Sequence, residues 1–114
     1  MVVDNLLEQH TDQVFHALAD RTRRDIVVRV LQQPASVTEL ARSYSMSFAA
    51  VQKHVAVLER AGLVGKERRG REQLVRGDPA MIHDAAALLE RYEALWRDRT
   101  GRMTDIIATA TKQE

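Results

Sequence analysis

Cysteine is absent from all 114 residues. That excludes disulfides, thiolate metal ligands and thiol redox chemistry together. Aromatic residues make up only 4% of the chain, so single-stranded nucleic acid would find few rings to stack on. No apolar run reaches the ~18 residues that a membrane-spanning helix needs. The first ten residues, MVVDNLLEQH, hold no basic leader and no cleavage-type apolar core, and a cytoplasmic protein is the expectation. Catalytic signatures are missing as well. The glycines (Gly62, Gly65, Gly70, Gly77 and Gly101) form no phosphate-cradling loop, and no Ser/His/Asp set stands at informative spacing. The reading is of a non-enzyme that uses no cofactor.

What remains is ordinary in bulk, with 45% hydrophobic and 29% charged residues and a net charge of +1. This length suits one domain, taken as residues 1–114. The charge is unevenly placed. Asp4, Glu8, Asp12 and Asp20 occupy the first twenty residues without a Lys or Arg, whereas Lys53, Arg60, Lys66, Arg68, Arg69, Arg71 and Arg76 crowd a later stretch. A basic patch on a near-neutral protein points to one surface that faces a polyanion.

The stretch from Ser36 to Leu63 carries the strongest local signals. Ser36-Val37-Thr38-Glu39 is a capping box that opens a short helix, with Val37, Leu40 and Ala41 on one face. Tyr44-Ser45-Met46-Ser47 is too short and polar for another element, and Ser47 can cap the helix that follows. In that second helix, taken as residues 47–61, Phe48, Val51, Val55 and Leu58 form an apolar stripe. Gly62 supplies the left-handed residue that ends it. Ala49, Gln52, Lys53, Ala56 and Arg60 make a slim, mildly basic opposite face. Two helices so joined are a helix-turn-helix, the second offered to a DNA major groove.

The flanks complete a small domain. Residues 4–19 read as a first helix with Leu7, Val14, Phe15 and Leu18 on its stripe. Asp20 caps a second that turns Ile26, Val27, Val30 and Leu31 inward and Arg21, Arg23, Arg24 and Arg29 outward. Pro34 closes it, because the residue before a proline leaves helical geometry. Beyond Gly62 the pattern alternates, and Gly70 provides the positive φ of a hairpin turn, giving a two-stranded basic wing over residues 64–76. Asp78-Pro79 starts a last helix. Its apolar residues Ile82, Ala85, Leu89, Tyr92, Trp96, Met103, Ile106 and Ala110 run as a seam too long for one small domain to cover alone. With the first helix, that seam suggests a dimer interface through Leu7, Val14, Leu89, Tyr92, Trp96, Met103 and Ile106. The fold expected is mainly α with a small β-hairpin, a winged helix-turn-helix of five to six helices.

Three stretches resemble the ArsR/SmtB-type winged-helix regulators. Residues Ala17-Leu18-Ala19-Asp20-Arg21-Thr22-Arg23 are similar to that family's "ALADPTR", with Arg21 where proline is usual. Val51 to Val64 is similar to "VSxHLxVLxxAGLV", with Gln52 in place of serine. Gly70-Arg71 sits where the family wing turns. The resemblance implies a homodimeric repressor of a pseudo-palindromic duplex operator, its own operon among the targets, with dimer contacts through first and last helices. It also places base reading at Phe48, Ala49, Gln52 and Lys53. By chemistry, Gln52 suits an adenine edge, Lys53 guanine or a phosphate, and Phe48 or Ala49 a thymine methyl. Ser47 and His54 are candidates for phosphate, with Arg69, Arg71 and then Arg68 on the wing. The family's thiolate metal site would need cysteines near Glu39–Arg42, where none stand. Its carboxylate–histidine site would find only His83, Asp84, Glu90 and Glu93 on the last helix, so no metal site is assigned and the inducer stays open. A metal-responsive repressor and a winged-helix protein-interaction module are the alternatives.

Overall fold

The computed structural model describes the backbone of residues 2–112 and the side chains of residues 10–101 and Ile107. Five helices and one small sheet make up the chain: α1 (Val2–Leu18), α2 (Arg21–Gln32), β1 (Ala35–Ser36), α3 (Val37–Tyr44), α4 (Phe48–Arg60), β2 (Val64–Arg69), β3 (Glu72–Gly77) and α5 (Ala80–Lys112). They group into two compact units, residues 1–83 and 84–114. The second unit consists of α5 beyond His83, which runs as one helix through Gly101.

Local chemistry explains most boundaries. Asp20, Ser36 and Ser47 each cap a helix by accepting the backbone N–H three residues on, at 3.0, 3.1 and 3.1 Å. Each satisfies one of the orphan donors that a helix N-terminus leaves. Asp78 accepts the N–H of Ala80 at the start of α5. At the end of α4, Leu63 N donates to Leu58 O and Gly62 N to Glu59 O, with Gly62 at φ +76°. This paired closure is a Schellman motif, and it buries Leu58 against Leu63, both fully inaccessible. The same closure recurs at the end of α3, where Met46 N reaches Ala41 O and Ser45 N reaches Arg42 O. There the left-handed residue is Ser45, at φ 52°. A non-glycine residue in this region costs roughly 1–2 kcal/mol, so Ser45→Gly is expected to raise stability by about 0.5–1 kcal/mol in urea unfolding.

The sheet has three strands in the order β1-β3-β2, all antiparallel, where the sequence suggested two. The extra strand is only Ala35–Ser36, paired with Val75 and Leu74. It makes β3 the central strand and ties the wing to the start of α3. Gly70, at φ +63°, occupies the two-residue turn between the paired Arg69 and Glu72. Gly77 passes so close to α2 that a Cβ there would lie 2.8 Å from the Leu31 backbone.

Unit one is built around Ile26, Val30, Leu40, Val51, Val55, Leu58, Leu63 and Val75, all within 2% exposure. Two inward assignments change. Among the described residues of α1, Val14 and Ala17 are buried, while Phe15 is turned out. Leu31 is partly exposed at the sheet end. Val14 fills the chain's own core, so it has no surface left for a partner. The proposed dimer contacts Leu7, Met103 and Ile106 lie outside the described side chains.

Candidate nucleic-acid interface

Helix α4 is anchored by one face and free on the other. Val51, Val55 and Leu58 are wholly buried, which fixes the depth of the helix and leaves Phe48, Ala49, Gln52 and Lys53 exposed. Phe48 is about half exposed (48%), at the first turn and next to the capping Ser47. An aromatic ring left in water at a helix start is poorly placed for packing and well placed to meet an apolar group such as a thymine methyl.

Beside it stands the wing. Residues of α3, α4 and the hairpin enclose a cleft of about 250 Å³, whose walls include Thr38, Phe48, Gln52, Arg68, Arg71 and Gln73. Arg68 and Arg71 line it, together with the carboxylate-bearing Glu72, and Arg69 does not. Arg68 pairs with Gln73 and Lys66 with the buried Val75, whereas Arg69 pairs with Glu72 on the alternate positions. Side chains alternate between the two faces of a strand. Arg68 therefore shares a face with Gln73, and Arg69 stands on the other. The sequence ranked Arg69 ahead of Arg68, whereas Arg68 and not Arg69 borders the cleft.

Charge pairing sorts the wing cations further. Lys66 lies 3.4 Å from Glu59 and Arg76 2.8 Å from Glu67. Among the described residues, Arg68, Arg69 and Arg71 form no ion pair, so the uncompensated positive charge is at the wing tip. Exposed pairs such as these contribute little stability. Their effect here is to leave the unpaired guanidinium groups of the wing at its tip.

His54 does not join this surface. It is half-buried, with Nδ1 at 3.5 Å from Arg23 Nη1 and 4.0 Å from Asp20 Oδ2. One helical step beyond Lys53, it is turned toward the α1–α2 corner. Arg24 is exposed as expected and Arg23 half-buried, and both donate to the last carbonyls of α1: Arg23 to Ala17 O and His16 O, Arg24 to Leu18 O. Sequence spacing held no signal for either contact. On the far side of α2, the Tyr44 hydroxyl donates to the Asp25 carboxylate and Arg29 stacks 5.5 Å above the Tyr44 ring. Burial and the Asp25 hydrogen bond push the Tyr44 phenol up.

A helix-turn-helix with an arginine-tipped wing is the common ground with known proteins. Residues 20–66 match the model of the bacterial regulatory protein arsR family. The HTH-type transcriptional regulator Rv2034 of Mycobacterium tuberculosis is 38% identical over 81 residues, covering 71% of this chain and 76% of that protein. The chain belongs to the ArsR family. An ArsR-like transcriptional regulator from Rhodococcus sp. RHA1 superposes with a TM-score of 0.76 at 32% identity, covering 88% of this chain and 94% of that one. A homodimeric winged helix-turn-helix DNA-binding domain from Mycobacterium bovis has the same fold, with a TM-score of 0.65 at 22% identity over 78% of this chain and 83% of its own. This ArsR-family chain is thus a winged helix-turn-helix, DNA-binding transcriptional regulator and not an enzyme. The matched stretch includes Gln52 and ends before Arg68 and Arg71. Among the described residues, no helix is long and apolar enough to cross a membrane.

Proposed function

We propose that this regulator is a cytoplasmic homodimeric repressor of a pseudo-palindromic duplex operator, its own operon being the first target to test. In this reading α4 lies in the major groove, Gln52 and Phe48 meet base edges, Lys53 and Ser47 meet base or phosphate, and the wing arginines hold the backbone. The observation that carries it is the single cleft joining Gln52 and Phe48 to Arg68 and Arg71, whose guanidinium groups are uncommitted. Base-reading and phosphate-positioning groups on one surface are what a groove-docked helix requires.

The dimer rests on α5. Leu89, Tyr92, Leu95 and Trp96 are all more than half exposed on one helix. A patch of that kind on a soluble protein is normally covered by a partner. A second copy brings the same patch by two-fold symmetry, and the fold-similar M. bovis domain is described as homodimeric. Replacing Tyr92 and Trp96 together by glutamate is expected to convert a sedimenting dimer to single chains at micromolar concentration. An unchanged dimer would remove α5 from the interface.

Gel shifts with the duplex upstream of its own gene test the DNA reading. The expected result is a complex whose log affinity falls linearly with log salt. No shift at low ionic strength would sink it.

A further inference from the structure

Three helices meet at one polar cluster on the side of α4 away from the cleft. Asp20 Oδ2 accepts the backbone N–H of Arg23 at 3.0 Å. The Arg23 guanidinium donates from Nε to Ala17 O at 2.8 Å and from Nη2 to His16 O at 3.1 Å. Its remaining nitrogen, Nη1, lies 3.5 Å from His54 Nδ1, and Asp20 stands 4.0 Å from the same ring nitrogen. The end of α1 and the middle of α4 thus meet at one guanidinium, with the Asp20 cap of α2 beside the same His54 ring. The Arg23 backbone N–H, foremost, and then the nearby Arg23 guanidinium hold the Asp20 carboxyl below the usual carboxylate range.

The buried stripe of α4 fixes how deep the helix sits. A lateral contact on its flank opposes rotation about its own axis. That rotation matters for reading bases. Turning an α-helix by ~20° carries a side-chain tip ~7 Å from the axis through roughly 2 Å. A hydrogen bond tolerates only a few tenths of an ångström. Phosphate contacts through long, flexible arginines are less demanding.

We propose that Arg23, held by the α1 carbonyls, is a positioning residue that acts together with Asp20 through His54 to set the rotation of α4. It rests on α4 being the reading helix. Its consequence is specific: loss of the cluster lowers discrimination between duplexes while general DNA affinity and folding persist.

Anisotropy titrations at fixed salt decide this. The probes are the duplex that the wild type enriches from a randomised library and a scrambled duplex of equal length. Two single variants and one double variant are compared. His54→Ala removes the α4 contact, and Asp20→Ser keeps the helix cap while removing the carboxylate. Each is expected to lower the preferred-to-scrambled affinity ratio about tenfold, and Arg23→Lys combined with His54→Ala to lose no more than His54→Ala alone, as for residues acting as a unit. Melting temperatures near wild type should accompany these losses. An unchanged ratio in His54→Ala overturns the proposal, and so does an equal loss on both duplexes, which would mark a phosphate contact. A wild-type protein without any preference overturns the reading of α4 itself, and this proposal with it.

Discussion

Replacing Arg68 and Arg71 together by alanine is expected to weaken binding to every duplex alike, by roughly ten- to a hundredfold at low salt. Both side chains border the cleft beside Gln52, and among the described residues neither forms an ion pair, although Glu72 lines the same cleft. The slope of log affinity against log salt should flatten by about 0.9 for each phosphate that is no longer neutralised, so by up to about 1.8 for the pair. Sequence preference should survive, because these groups position the protein and do not read bases. Arg76→Ala serves as the contrast. Its guanidinium is 2.8 Å from Glu67, and removing it should change affinity far less. Equal losses from Arg76→Ala and the double variant would show that only total charge matters, and not which residues face the cleft.

Leu58→Ala should produce the largest loss of stability. Leu58 is wholly buried, and its carbonyl receives the N–H of Leu63 in the motif that ends α4. Truncating a fully buried leucine costs about 2–5 kcal/mol, through reduced apolar burial and the cavity left behind. Against a total of about 5–15 kcal/mol for a domain, that removes a large share. The urea midpoint should fall with an unchanged slope. A loss under about 1 kcal/mol would mean that α4 is not anchored at this point. Acid adds a smaller effect. Because folding lowers the Asp20 pKa, its contribution is present above the unfolded aspartate value and is lost as pH falls through the folded one.

The features legible in the sequence are those that one local rule decides. Ser36, Ser47 and Asp20 are caps because a short oxygen-bearing side chain precedes an apolar period. Gly62 and Gly70 sit where a positive φ is required, and Asp78-Pro79 can only begin a helix. The helix-turn-helix and its wing followed from these. The features that escaped depend on packing or register. Ala35–Ser36 is a strand only because β3 lies alongside, and two residues carry no alternating pattern. Ser45 adopts a glycine conformation without being glycine. Arg68 and Arg69 are interchangeable in composition, and only the pairing of Lys66 with Val75 decides which face each takes. His54 and Arg23 meet across 31 positions of chain, an approach that neither helix period announces. Composition could suggest a basic surface, while the structure shows that Lys66 and Arg76 are paired and the wing tip is not.

The reading of DNA by α4 is tested most directly by enriching duplexes from a randomised library with the wild type and with Gln52→Ala. Gln52 is exposed in the cleft and offers the paired donor and acceptor that an adenine edge requires. The wild type should enrich a pseudo-palindrome with half-sites one helical turn, about 34–36 Å, or a multiple of it apart. Gln52→Ala should retain that spacing and lose preference at one position in each half-site, about a 1–3 kcal/mol discrimination. Identical enriched sequences from the two proteins, or none from either, would contradict the assignment of α4 as the helix that reads bases.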